Sequence, residues 1–210
     1  MLDFLGPLLG FAVVHLLAVA SPGSSFVVVS QLAMARSRRV AMIASLAMTV
    51  GALAWATAAL FGLKVIFEGT EWLYAGLRIA GGLYLVWLGW MLWRHAGQGN
   101  IEARAAGGGV AVESDWTLFR RSLLVQLSNP KVAVFFGGIF LALLPAGAPV
   151  WVYVAALAIV CVNEFSWYAL VATVFAAGPA RRAYAGARVW IDRCTGGFLG
   201  LLGLKLALER

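Results

Sequence analysis

Histidine and cysteine are nearly absent from this chain, with two of each in 210 residues. Cys161 and Cys194 are far apart and form no CxxC, and His15 and His95 belong to no HExxH. A disulfide framework, a soft-metal cluster and a zinc hydrolase each lack the residues they need. Acidic residues are also scarce, 9 against 16 basic ones, and scattered, which disfavours a carboxylate cage for a hard metal. No metal and no cofactor is expected, and no enzyme. Charged residues make up only 12% of the chain, too few to clothe a soluble domain.

What is present is apolar: 62% of the residues are hydrophobic and the mean hydropathy is +0.89. No single core hides that much surface at this size, so the natural solvent is a lipid bilayer. The net charge of +7 does not point to nucleic acid, because the basic residues sit in short loops between apolar runs. The apolar run before Ala18-Val19-Ala20 has Asp3 and no basic residue ahead of it, so the first span is expected to be retained rather than cleaved as a signal peptide.

At about 20 apolar residues per crossing, the chain reads as an all-α polytopic membrane protein with six spans. These run over about 4–33, 40–67, 72–93, 122–144, 150–177 and 189–208. The spans fall into a first half, about 1–93, and a second half, about 122–210. A glycine-containing linker, about 94–121, joins them as part of one transmembrane domain. Arg36, Arg38, Arg39, Arg94, Arg104, Arg120, Arg121, Arg181, Arg182 and Arg188 fall in alternate loops, which places those loops in the cytoplasm and both termini outside, in the periplasm. With an odd number of spans per half, the second half is inverted relative to the first.

Two of the spans are broken by proline at nearly matching places, at Ser21-Pro22-Gly23 and at Asn129-Pro130-Lys131. A broken helix leaves backbone amides and carbonyls unpaired, and hydrocarbon cannot satisfy them. Matched interruptions of this kind mark the substrate site of a secondary transporter. A half-helix starting after Gly23 aims free amides at an anion, with Ser21, Ser24 and Ser25 adding hydroxyls. Asn129 is placed to cap the half-helix that follows Pro130. Lys131 sits in that helix's first turn, where the dipole disfavours a cation; it serves either as a substrate contact or as an anchor reaching the headgroups.

Glu164 lies about 14 residues, roughly 21 Å, into the fifth span, with Asn163 beside it. Ionisable groups at that depth are costly and usually functional. Glu164 is expected to carry the coupling proton or meet a substrate ammonium, or else to pair with Arg78. His15, in the first span, reads more readily as a packing residue. Gly196 and Gly200, with Gly203, form a small-residue face that serves either a homodimer or internal packing.

Several segments together resemble the LysE/RhtB family of amino-acid exporters. They are Ser21-Pro22-Gly23-Ser24 with Arg36, Arg38 and Arg39, the run LRIAGGLYLVWLG at 77–89, the Phe119-Arg120-Arg121-Ser122 segment leading into LSNPKVAVFF at 127–136, and the 192–204 segment. The resemblance implies a bacterial inner-membrane antiporter that exports amino acids or related metabolites against protons, with neutral ones such as threonine, homoserine or leucine favoured. An ion or metal exporter of similar topology is the alternative. Where the family reads Pro-Gly-Pro at the first break, this chain has Ser24, and Ala44, Ser45 and Ala47 stand where the family has more glycine.

Overall fold

The computed structural model describes residues 4–21, 23–69, 71–96, 114–144 and 147–208, and leaves some helical side chains, those of Arg78 and Pro130 among them, outside the described set. Among the described residues every regular element is a helix. In chain order these are α1 Leu5–Ala20, α2 Ser24–Ala35, α3 Arg38–Gly69, α4 Glu71–Arg94, α5 Asp115–Leu127, α6 Pro130–Leu143, α7 Val150–Ala176 and α8 Gly178–Leu208.

Both breaks form where proline demands them. A residue before proline is pushed out of the helical region, and both such residues are extended: Ser21 at ψ 134° and Asn129 at ψ 104°. Pro130 then takes the first position of α6, where its missing N–H leaves no bond unmade. Pro22 itself lies outside the described residues. The chain bends by 58° between α1 and α2, and by 60° between α5 and α6.

The helices Arg38–Gly62 and Val150–Ala176 are long and apolar enough to cross a bilayer, and each bent pair has the length and composition of one more crossing. The expected third and sixth spans coincide with α4 and α8, of which α4 carries the shorter apolar stretch Gly82–Met91. Leu9, Val154, Leu170, Leu201 and Trp190 are all more than half exposed, an outward apolar surface of the kind lipid covers. This is a multi-pass membrane protein.

Packing interleaves the two halves. The broken pair α1–α2 lies on α7, the broken pair α5–α6 lies on α3, and α3 and α7 lie against each other. Small residues make that central contact close: Ala41, Ala44, Ala52 and Ala56 of α3 are fully buried. Apolar clusters flank the breaks on either side. One is built around Phe11, Phe136, Phe140 and Val160, the other around Phe26, Met48, Val171 and Phe175.

α4 and α8 meet backbone to backbone. A Cβ added at Gly82 would stand 2.7 Å from the Gly203 carbonyl oxygen, and one at Gly89 would collide with the Gly196 carbonyl and stand 2.7 Å from the Gly200 nitrogen. The small-residue face of α8 is therefore engaged within the chain, the internal-packing use expected for it.

Two elements start earlier than the sequence reading placed them: α8 begins at Gly178, where the sixth span was expected from about 189, and α5 is the other. The linker was expected to run to 121, yet α5 begins at Asp115. The Ser114 hydroxyl accepts the Thr117 N–H at 3.2 Å, and Asp115 stands at the positive end of the helix. Asp115 also pairs with Arg39, which brings the α2–α3 turn and the start of α5 to one face of the molecule. At the other end of the broken first span, Phe4 meets Trp151 edge-on at 5.8 Å, joining the starts of α1 and α7.

Candidate functional site

The two breaks adjoin, and the backbone groups they expose find partners across the interface between the halves. At the end of α1 the Ser21 N–H reaches the Leu17 carbonyl at 3.1 Å, and the Ser21 hydroxyl donates to the Ala18 carbonyl at 2.8 Å. Lys131 arrives from α6: its ammonium donates to the Ala18 carbonyl at 3.2 Å, to the Ser21 carbonyl at 3.3 Å and to the Ser21 hydroxyl. The Thr195 hydroxyl adds a bond to the Leu17 carbonyl at 3.4 Å. At the end of α5, the Trp55 indole N–H donates to the Leu127 carbonyl at 3.2 Å. This is the accounting that a membrane interior requires of a broken helix.

Lys131 thus turns inward rather than toward headgroups. Its position in the first turn of α6 opposes that helix's dipole, but its charge sits at the C-terminal end of α1, where a cation is favoured. Asn129 caps α6, its side-chain oxygen accepting the Lys131 N–H at 3.1 Å. No side chain caps α2 at Gly23, so the amide end of that helix is left to other partners.

A second polar connection crosses the breaks. The Ser25 hydroxyl donates to the Gln126 side-chain oxygen and accepts from the Asn129 amide at 3.2 Å. All three side chains are buried. Gly51 of α3 makes room for this cluster, since a Cβ there would stand 2.7 Å from Gln126 Cγ and 2.9 Å from its Cβ. Gly51→Leu is expected to push α5 off α3 and lower stability by at least about 1–3 kcal/mol, as overpacking does. The midpoint temperature of the purified protein in detergent measures it.

Deeper in, His15 of α1 faces Glu164 of α7, with Nε2 3.8 Å from the carboxylate. The Asn163 amide nitrogen donates to the Ala12 carbonyl at 2.9 Å, which fixes which way the amide points, and it lies 3.4 Å from His15 Nδ1. Asn163 thus holds the Nδ1 side of the ring and leaves Nε2 toward Glu164, without a hydrogen-bond partner among the described residues. Phe11, Phe135 and Phe136 surround the ring at centroid distances of 5.6, 6.0 and 5.4 Å. Among the described residues neither Glu164 Oε2 nor Gln126 Nε2 has a hydrogen-bond partner. A buried polar atom left so in a polar cavity is a contact waiting for a ligand or water.

A cavity of about 30 Å³ joins His15 and Glu164 to the two breaks, with room for about two water molecules. Ser21, Gly23, Asn129, Lys131 and Glu164, all expected at a site, line it, and so does Ser25. Ser24 points outward from the first turn of α2. Asn163 does not line the cavity but holds His15. Pro22 and the ring of Pro130 lie outside the described residues, as does the side chain of Arg78, the expected partner of Glu164. His15 and Tyr168 line the cavity unannounced by any motif. Helical spacing was the available signal: Phe11, His15 and Ala18 share one face of α1, and Tyr168 lies one turn beyond Glu164.

Comparison with known proteins agrees with this architecture. The family model described as LysE type translocator matches residues 16–210. A threonine efflux protein of Salmonella typhi is 34% identical over 199 residues, covering 95% of this chain and 96% of its own length. The threonine efflux protein of Escherichia coli strain K12 shows the same identity and coverage. A homoserine/homoserine lactone efflux protein of Salmonella typhimurium is 35% identical over 79 residues, 38% of this chain and 36% of its own. No solved structure matches. The chain belongs to the LysE type translocator family and is a membrane transporter, not an enzyme.

Proposed function

We propose that this protein exports small neutral amino acids, threonine and homoserine foremost, across the bacterial inner membrane in exchange for protons. The observation that carries the reading is the cavity where the two helix breaks meet, which gathers an uncapped helix N-terminus, hydroxyls, amides and one deep carboxyl. The end of α2, with Gly23 and Ser25, suits a substrate carboxylate. Ser21 and Asn129 supply neutral polar contacts. Glu164, with His15 against it, is the proton site: it is ionisable, lies in a transmembrane helix and has an oxygen to spare. The printed names of the threonine and homoserine efflux relatives support the substrate class.

The membrane arrangement proposed is six spans in two inverted halves with both termini in the periplasm. The interleaved contacts support it, because each broken pair resting on the other half's long helix is what an inverted repeat produces. The Arg39–Asp115 pair, which gathers two arginine-rich segments on one face, supports the cytoplasmic assignment of that face.

The test is counterflow in proteoliposomes of purified protein. Labelled threonine or homoserine is expected to exchange against the same unlabelled amino acid inside, with arginine and lysine exchanging far more slowly. Folded protein that exchanges no neutral amino acid refutes the substrate assignment.

A further inference from the structure

The way Lys131 is held says something about the substrate's other charged end. Its ammonium has three N–H donors, and three oxygens receive them: the Ala18 carbonyl, the Ser21 carbonyl and the Ser21 hydroxyl. Two of these are backbone atoms at the negative end of α1, so the cradle is made by the break and by Ser21 alone. Glu164 and Asp192, both buried, act on the lysine's charge from α7 and α8. The cradle also abuts the second half-helix. A Cβ on Gly23, the residue that opens α2, would stand 3.8 Å from the lysine Nζ. The carbonyl end of one half-helix and the amide end of the next therefore lie side by side. They present opposite partial charges to the same cavity.

We propose that the carbonyl end of α1 is the binding site for the substrate's ammonium group, and that Lys131 fills it with its own ammonium when no substrate is bound. A substrate's α-ammonium carries the same donors as the lysine's. An incoming amino acid seats its carboxylate on α2 and its ammonium on α1, and the lysine leaves. Lys131 is thus an internal stand-in for substrate: it keeps the exposed carbonyls satisfied between transport cycles and ties the two halves together. The site takes primary ammonium groups and rejects quaternary ones, which have no N–H to donate. This assignment rests on the reading of the cavity as an amino-acid site.

The test uses the full-length Lys131→Ala protein, purified in detergent, with ethylammonium as the probe. Ethylammonium is expected to raise the variant's midpoint temperature saturably, tetramethylammonium to leave it unmoved, and neither salt to act on the wild type. Folded variant that responds to ethylammonium no more than wild type does overturns the proposal. Should Lys131→Ala yield no folded protein, ethylammonium present throughout extraction is expected to recover it; recovery by neither salt or equally by both overturns the proposal too. Threonine counterflow by the wild type, run in parallel, separates the two readings. Counterflow without an ethylammonium response removes the cradle and leaves amino-acid export standing; the reverse result removes export.

Discussion

Proteoliposomes carrying Glu164→Gln are expected to exchange threonine in counterflow but to fail at driving it uphill with a pH gradient. Glutamine keeps the shape and one oxygen of the side chain and cannot release a proton. Homoexchange requires no net proton movement, so binding and reorientation survive. A gradient of about one pH unit is worth about 1.4 kcal/mol per proton, hence about tenfold accumulation in the wild type at one proton per substrate. In the variant the ratio is expected to fall to about one. The position of the side chain gives the reason: it is buried in α7, lines the cavity, and faces a histidine whose other nitrogen is already engaged. Accumulation that persists in Glu164→Gln would move the proton site elsewhere, with His15 the next residue to replace.

Gly89→Leu is expected to abolish the folded protein, the largest structural effect of any single change considered. The added Cβ would run into the Gly196 carbonyl and come within 2.7 Å of the Gly200 nitrogen. Both are backbone atoms of a long helix, so no rotamer change relieves the clash. The cost stands at or above the upper end of the about 1–3 kcal/mol usual for overpacking. Gly76→Ala, on the same helix with nothing among the described residues within 4 Å of its Cβ, is the control and is expected to fold as the wild type does. Size-exclusion profiles of the detergent-extracted proteins distinguish them. A monodisperse Gly89→Leu peak at wild-type yield would show that α4 and α8 are not seated as described.

The breaks and the approximate ranges of most helices were legible in the sequence, because each depends on local chemistry. Proline fixes the residue before it, and apolar length fixes a span. What stayed hidden depends on partners distant in the chain. Lys131 looked misplaced in the first turn of α6, and its explanation lies at Ser21, 110 residues earlier. His15 is packed among phenylalanines as expected, but its neighbour Glu164, in the other half, was not readable. Even the small-residue face of α8 was readable as a face, while its occupant, the glycines of α4, was not. The early start of α5 is a different case: Ser114 and Asp115 are a local start signal that the surrounding glycine-containing linker obscured.

The way each broken pair leans on the opposite half has a mechanical consequence. The two halves are clasped like the fingers of folded hands, with α3 and α7 as the knuckles. Parting the halves as a clamshell would strip α5 and α6 from α3, and α1 and α2 from α7. The same clasp means that the second half made alone has no bearing surface for its bent pair, because α5 and α6 rest on α3 and α4 of the first.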